Sequence, residues 1–131
     1  MREPVWIPRV VIEALHVDQI REHGGLSGIR DVDLFESALA RPKQKWAYDQ
    51  RTDLAALAAA YCFGIVKNHP FQDGNKRVGF LVLVVFLGLN DITFHSSDES
   101  VVTTILGLAS GQISEDALAA WIRANATSDP R

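Results

Sequence analysis

Apolar residues crowd two stretches of this sequence, Leu54 to Val66 and Val78 to Leu89, and a short, very polar segment separates them. A helix that is apolar all round belongs in the middle of a domain, because it has no face to offer water. Leu54, Ala55, Leu57, Ala58, Ala59, Ala60, Tyr61, Phe63, Ile65 and Val66 leave almost no polar face. A central helix is therefore expected from Thr52 or Asp53 to about Lys67. A second, equally apolar helix is expected from Asn75 or Lys76 to Leu89. The run Val78–Leu89 has 12 residues, too few for the roughly 20 that cross a bilayer. It reads as a buried helix, and no membrane association is expected.

Four further helices follow from weaker patterns. The first runs from about Pro8 to Glu22, with Val11, Ile12 and Leu15 on its apolar stripe. Pro8 suits a first turn, and Gly24-Gly25 closes the end. Asp33, with Glu36 three residues on, forms a capping-box pattern. It opens a short helix whose core face is Leu34, Phe35, Ala38 and Leu39, and which Pro42 is expected to stop. Residues 41–51 are polar and basic but carry Trp46 and Tyr48, and read as a loop or flap. After Asn90-Asp91, Ile92-Thr93-Phe94 is a candidate extended piece. Ser97 or Asp98 opens a fifth helix to about Ser110, and Ser114 caps a sixth, with Glu115 and Asp116 in its first turn. Residues 124–131 read as a polar tail. The fold class is all-α: a compact six-helix domain with a central buried helix pair and a flap loop. It spans 1–131, with the flap at about 41–51 and a candidate active-site loop at 69–77.

Composition narrows the function. Nearly half the residues, 47%, are hydrophobic, enough for one sizeable core in 131 residues. The net charge of −3 gives no reason to expect direct nucleic-acid binding. Cys62 is the single cysteine, so no intramolecular disulfide can form. A reducing cytoplasm is the natural compartment, and Cys62 reads as a small buried hydrophobe.

The candidate chemistry lies in the polar interruption, His69-Pro70-Phe71-Gln72-Asp73-Gly74-Asn75-Lys76-Arg77. Anionic oxygens need donors, and a helix N-terminus offers backbone N–H groups and partial positive charge. Gly74 lets backbone approach a ligand closely, and Asn75 can tighten the turn and cap the next helix. Lys76 and Arg77 oppose the helix dipole unless an anion is bound. Asp73 supplies a hard oxygen of the kind Mg²⁺ takes beside phosphates. His69 can accept a proton from a hydroxyl at neutral pH. Phe71, apolar in a polar loop, is expected to anchor it in the core.

These nine residues resemble the motif of the Fic/Doc family. The resemblance extends to Gly24-Gly25-Leu26, Gly28-Ile29-Arg30-Asp31, Glu36 through Pro42, and Ala47-Tyr48, which are similar to segments of death-on-curing toxins, the Doc branch. It implies a compact all-helical fold and a nucleotide-dependent protein-modifying enzyme with ATP and Mg²⁺. Residue by residue, it implies that His69 is the base acting on the target hydroxyl and that Asp73 holds the metal. Gly74, Asn75, Lys76 and Arg77 would form the anion hole and phosphate contacts. Trp46, Ala47 and Tyr48 would lie in a flap that aligns a target segment as an added strand. His16, His23 and His95 match no motif position.

The Fic branch transfers AMP and carries a longer motif. Here Lys76 replaces its second glycine and Phe80 its final arginine. Both changes are those of the Doc branch, which transfers the γ-phosphate and whose known target is elongation factor Tu. Pro70 and Gly74 are Fic-like, so AMP transfer stands as the alternative, and an inactive binding module as a second. No Glu is followed by Gly or Asn, so the self-inhibitory helix pattern of many Fic proteins is absent. The resemblance implies inhibition in trans by a small antitoxin of the prevent-host-death type.

Overall fold

The computed structural model describes residues 2–130 and consists of six helices and one two-stranded sheet. The helices are α1 (Arg9–His23), α2 (Val32–Tyr48), α3 (Leu54–Asn68), α4 (Asn75–Leu89), α5 (Asp98–Ser110) and α6 (Glu115–Ala124). The strands are β1 (Ile92–Phe94) and β2 (Ala126–Ser128). Among the described residues no helix is long and apolar enough to cross a membrane.

The two apolar runs form the centre, as their lack of a polar face requires. Leu57, Ala58, Ala59, Ala60, Tyr61, Cys62 and Ile65 of α3 are buried, as are Val78, Val82, Leu83, Phe86 and Leu87 of α4. A Cβ at Gly79 would lie 2.8 Å from Val66 Cγ2 and 3.4 Å from the Cys62 carbonyl. Glycine is what lets α4 come this close to α3. α2 and α6 pack on the other faces of α3, and α1 lies against α4. Asp53 caps α3 by accepting from Ala56 N–H at 3.0 Å, and Arg123 of α6 donates twice to the same carboxylate.

Four sequence expectations need correction. The second helix does not begin at Asp33. Asp31 is its cap, accepting from Leu34 N–H at 3.0 Å, while Glu36 pairs with Arg9 of α1. Nor does Pro42 stop it. The proline sits buried inside α2, which runs on to Tyr48. A proline in a helix interior costs about 3 kcal/mol, because it removes the bond to the carbonyl four residues back and crowds it. Here that carbonyl is Ala38's, at the crossing with Gly64 of α3, where an added Cβ would lie 3.3 Å from it.

The turns beyond Pro42 are held from outside. Arg41 and Lys45 both bond Glu115 at the start of α6, Arg41 lies over the Phe63 ring, and Trp46 packs edge-on to Trp6. Residues 41–48 of the flap expected at 41–51 are thus helix, and the connection to α3 is 49–53. Lastly, the expected polar tail contains β2. It pairs antiparallel with β1, Ile92 opposite Ser128 and Phe94 opposite Ala126. His95 N–H to the Asn125 carbonyl and Asp129 N–H to the Asp91 carbonyl extend the ladder at both ends.

Candidate active site

The segment from His69 to Gly74 turns the chain between the two central helices. His69 closes α3 in the left-handed conformation, φ 54°, with its N–H on the Ile65 carbonyl at 3.1 Å. Gly74 opens α4 at φ 80°, also left-handed. His69, Lys76 and Arg77 are exposed, and Asp73 is half-buried.

The loop is clamped from four sides. Phe71, in the middle of it, is 1% exposed. Its ring stacks on His16 at 4.0 Å and 9°, and meets Phe35 at 5.0 Å. The Asn75 carboxamide accepts from Phe71 N–H and donates to the Phe71 carbonyl, both at 3.0 Å. The Asn75 side chain is therefore committed to the loop. What this residue can offer an anion is its backbone N–H.

The segment before α2 runs alongside. Arg30 and Asp31 N–H donate to the Pro70 carbonyl, Gln72 N–H donates to Gly28, and Ile29 bridges Phe71. The Arg30 guanidinium donates to the His69 and Asn68 carbonyls at 2.7 and 3.0 Å. A cation there also suits the C-terminal end of α3. Leu26 N–H donates to Asp73 Oδ2 at 2.6 Å. Gly25, φ 113°, passes so close that a Cβ would lie 3.1 Å from Asp73 Cβ.

The start of α4 carries no side-chain cap: the expected cap Asn75 is its first helical residue, and Gly74 stands at the cap position. The N–H groups of Asn75, Lys76 and Arg77 precede the first intrahelical bond, which Val78 N–H makes to Gly74. These three donors, with the cations of Lys76 and Arg77, are groups of the kind that bind oxyanions. Among the described residues, no three His, Cys, Asp or Glu side chains cluster to hold a metal by protein ligands alone. The single carboxylate of Asp73 fits Mg²⁺, which keeps water and substrate oxygens as its other ligands.

A family model described as Fic/DOC family matches residues 6–87. The chain belongs to the Fic/Doc family. It is 34% identical over 110 residues to "Protein kinase doc" of Escherichia phage P1, covering 84% of this chain and 86% of that protein. It is also 34% identical over 70 residues to "Toxin Doc" of Mycolicibacterium smegmatis, covering 53% and 54% respectively.

Other Fic/Doc positions fare differently. Phe80, where the Fic branch has its last arginine, is half-buried and meets the Phe94 ring at 5.8 Å. It also lines a groove of about 360 Å³ between α1, α4 and α5, together with His23, Lys76, Arg77, Val102 and Leu106. Trp46, Ala47 and Tyr48 are helical, so their backbone presents no strand edge to a target segment. That expectation is corrected. The Trp46 ring packs into the protein, whereas Ala47 is exposed and Tyr48 is 94% exposed. Sequence reading missed His16 and Arg30, whose partners lie 57 and 38–39 residues away. Arg30 lay within a segment similar to Doc toxins, which was the available signal. His16 had none.

Proposed function

We propose that this chain is the toxin of a toxin–antitoxin pair. It moves the γ-phosphate of ATP to a Ser/Thr hydroxyl of a translation factor such as elongation factor Tu, and so inhibits translation in the cytoplasm. The observation that carries the reading is the uncapped start of α4, with Lys76 and Arg77 in its first turn and the exposed His69 at the other end of the same rigid loop. The names of the two relatives, "Protein kinase doc" and "Toxin Doc", support the reaction class and the biological role in this reading.

In this reading, backbone N–H groups of Asn75, Lys76 and Arg77 hold phosphate oxygens, and the side chains of Lys76 and Arg77 offset their charge. The backbone of Gly74 leaves room for them. His69 accepts the proton of the target hydroxyl as its oxygen bonds to the γ-phosphorus. The bond from that phosphorus to the bridging oxygen breaks, and ADP leaves. Asp73 would hold Mg²⁺, which when bound neutralises charge on the phosphates. Positioning and electrostatics dominate phosphoryl transfer, which suits a loop clamped as tightly as this one. Ala47 and Tyr48 offer exposed side chains for target contact.

AMP transfer is the second reading. Pro70 and Gly74 favour it, because both match the Fic branch and both shape the loop: Pro70 accepts two backbone bonds and Gly74 takes the left-handed turn. Against it, Phe80 packs on Phe94, where a clamp for AMP transfer would need an arginine. Restraint comes from a small antitoxin in trans, for which the apolar groove beside Lys76 and Arg77 is a suitable seat.

The test is mass spectrometry of a cell extract incubated with the protein and ATP. Added phosphate on a translation factor, absent with His69→Ala, is expected. Added AMP would favour the second reading. Modification that persists with His69→Ala would reject His69 as the base in either reading.

A further inference from the structure

The buried histidine under the loop has a task that no motif position assigns. His16 is 2% exposed, one of three buried polar side chains among the described residues. Its Nε2 lies 2.9 Å from the backbone carbonyl oxygen of Asp73. A carbonyl only accepts, so Nε2 carries the hydrogen. The ring face rests on Phe71 at 4.0 Å and 9°. One side chain thus holds the loop at two points, through an aromatic face and through a directed bond.

Asp73 is held at two atoms by two different elements. Its backbone oxygen is taken by His16 of α1 and its Oδ2 by Leu26 N–H. The first bond fixes where the residue sits and the second fixes how its side chain turns. One helical turn after His16, the Ile20 Cδ1 atom lies where Cβ atoms on Gly25 and Gly74 would come within 3.3 and 3.5 Å. His16 and Ile20 thus form one face of α1, on which the Asp73-Gly74 corner rests. A group that orients a metal ligand tunes metal affinity, often by 10–100-fold. A side chain needed only to fill space there has no reason to be a hydrogen-bond donor.

We propose that His16 is a positioning residue for Asp73. Its Nε2–H sets the place from which the carboxylate receives a divalent cation beside the nucleotide phosphates. This rests on the reading of the site as a metal–nucleotide site.

The experiment compares His16→Gln with His16→Met. The two side chains are close in size and both lose the ring, but only glutamine keeps a donor. Mn²⁺ binding is followed by electron paramagnetic resonance in the presence of a non-hydrolysable ATP analogue. Thermal melts are recorded alongside. Glutamine is expected to stay within about threefold of wild type, and methionine to weaken Mn²⁺ binding by about tenfold or more. Binding of the analogue without metal should change little in either. Equal Mn²⁺ affinities for the two variants would overturn the positioning role, whatever their melting temperatures. If wild type itself bound no Mn²⁺ with the analogue, the site reading would fall, and the role of His16 with it. A measurement without mutation stands beside these. The His16 Nε2–H proton should be visible by NMR, slow to exchange, and shifted when metal joins the nucleotide complex. A proton that ignores the metal would count against the proposal.

Discussion

The carboxamide of Asn75 holds both backbone polar groups of Phe71, taking its N–H and giving to its carbonyl at 3.0 Å each. The pair closes the loop on itself and sets the origin of α4 against the anchor ring. Asn75→Leu should strand both Phe71 groups in a buried setting, at about 1–3 kcal/mol for each. The melting temperature is expected to fall, and transfer activity by on the order of 10²-fold, since small displacements at a reacting centre have such effects. Full activity in the folded variant would mean that the loop is held elsewhere.

Arg30 ties the His69 end of the loop by bonding the Asn68 and His69 carbonyls. Arg30→Met keeps much of the side-chain length without the donors. Transfer is expected to slow by roughly 10–100-fold with little change in the KM for ATP. A rise in KM alone would place Arg30 in nucleotide binding instead.

The contact of α4 with α3 at Gly79 leaves no room for a methyl group, which would meet Val66 Cγ2 at 2.8 Å and the Cys62 carbonyl at 3.4 Å. Gly79→Ala should destabilise the protein by about 1–3 kcal/mol through overpacking. The helix-propensity gain of alanine over glycine, about 1 kcal/mol, works the other way and trims the loss. Chemical denaturation measures the sum, and an increase in stability would show that the helices separate easily.

Asp53 links pH to stability. Its bond to the Arg123 guanidinium holds the carboxyl below its ordinary value, and the Ala56 N–H adds to that, while burial opposes both. The folded chain thus binds this proton less readily than the unfolded chain. The resulting stability is fully present above the unfolded aspartate value of about 3.9. It is lost as pH falls through the lower, folded value. Asn is also a good cap, so Asp53→Asn isolates the charge. Wild type should exceed it in stability near neutral pH, and the gap should close below about pH 4. A gap unchanged at acid pH would assign the difference to packing.

The central helices were legible because α3 and α4 are apolar on every side; because capping is local, the cap Ser114 was legible, and Asp53 and Ser97 were each narrowed to one of two neighbours, Thr52 or Asp53 and Ser97 or Asp98. The residues of the loop were legible too, as the one polar interruption. What escaped was decided at long range. Pro42 looks like a stop, but the grip of Glu115 on Arg41 and Lys45 and the crossing at Gly64 carry α2 past it. Ala126–Ser128 looks like a tail until β1 offers it a ladder. That the Asn75 side chain serves Phe71 was not legible either. His16 was set aside, and only the packing of α1 beneath the loop brings it to Asp73.

The central claim is γ-phosphoryl transfer from the Lys76-bearing site. Purified elongation factor Tu should be incubated with the protein and ATP labelled at either the α- or the γ-phosphorus. Label is expected on the target from the γ position alone, and none with His69→Ala. Label arriving from the α position would contradict the account and make the chain an AMP transferase.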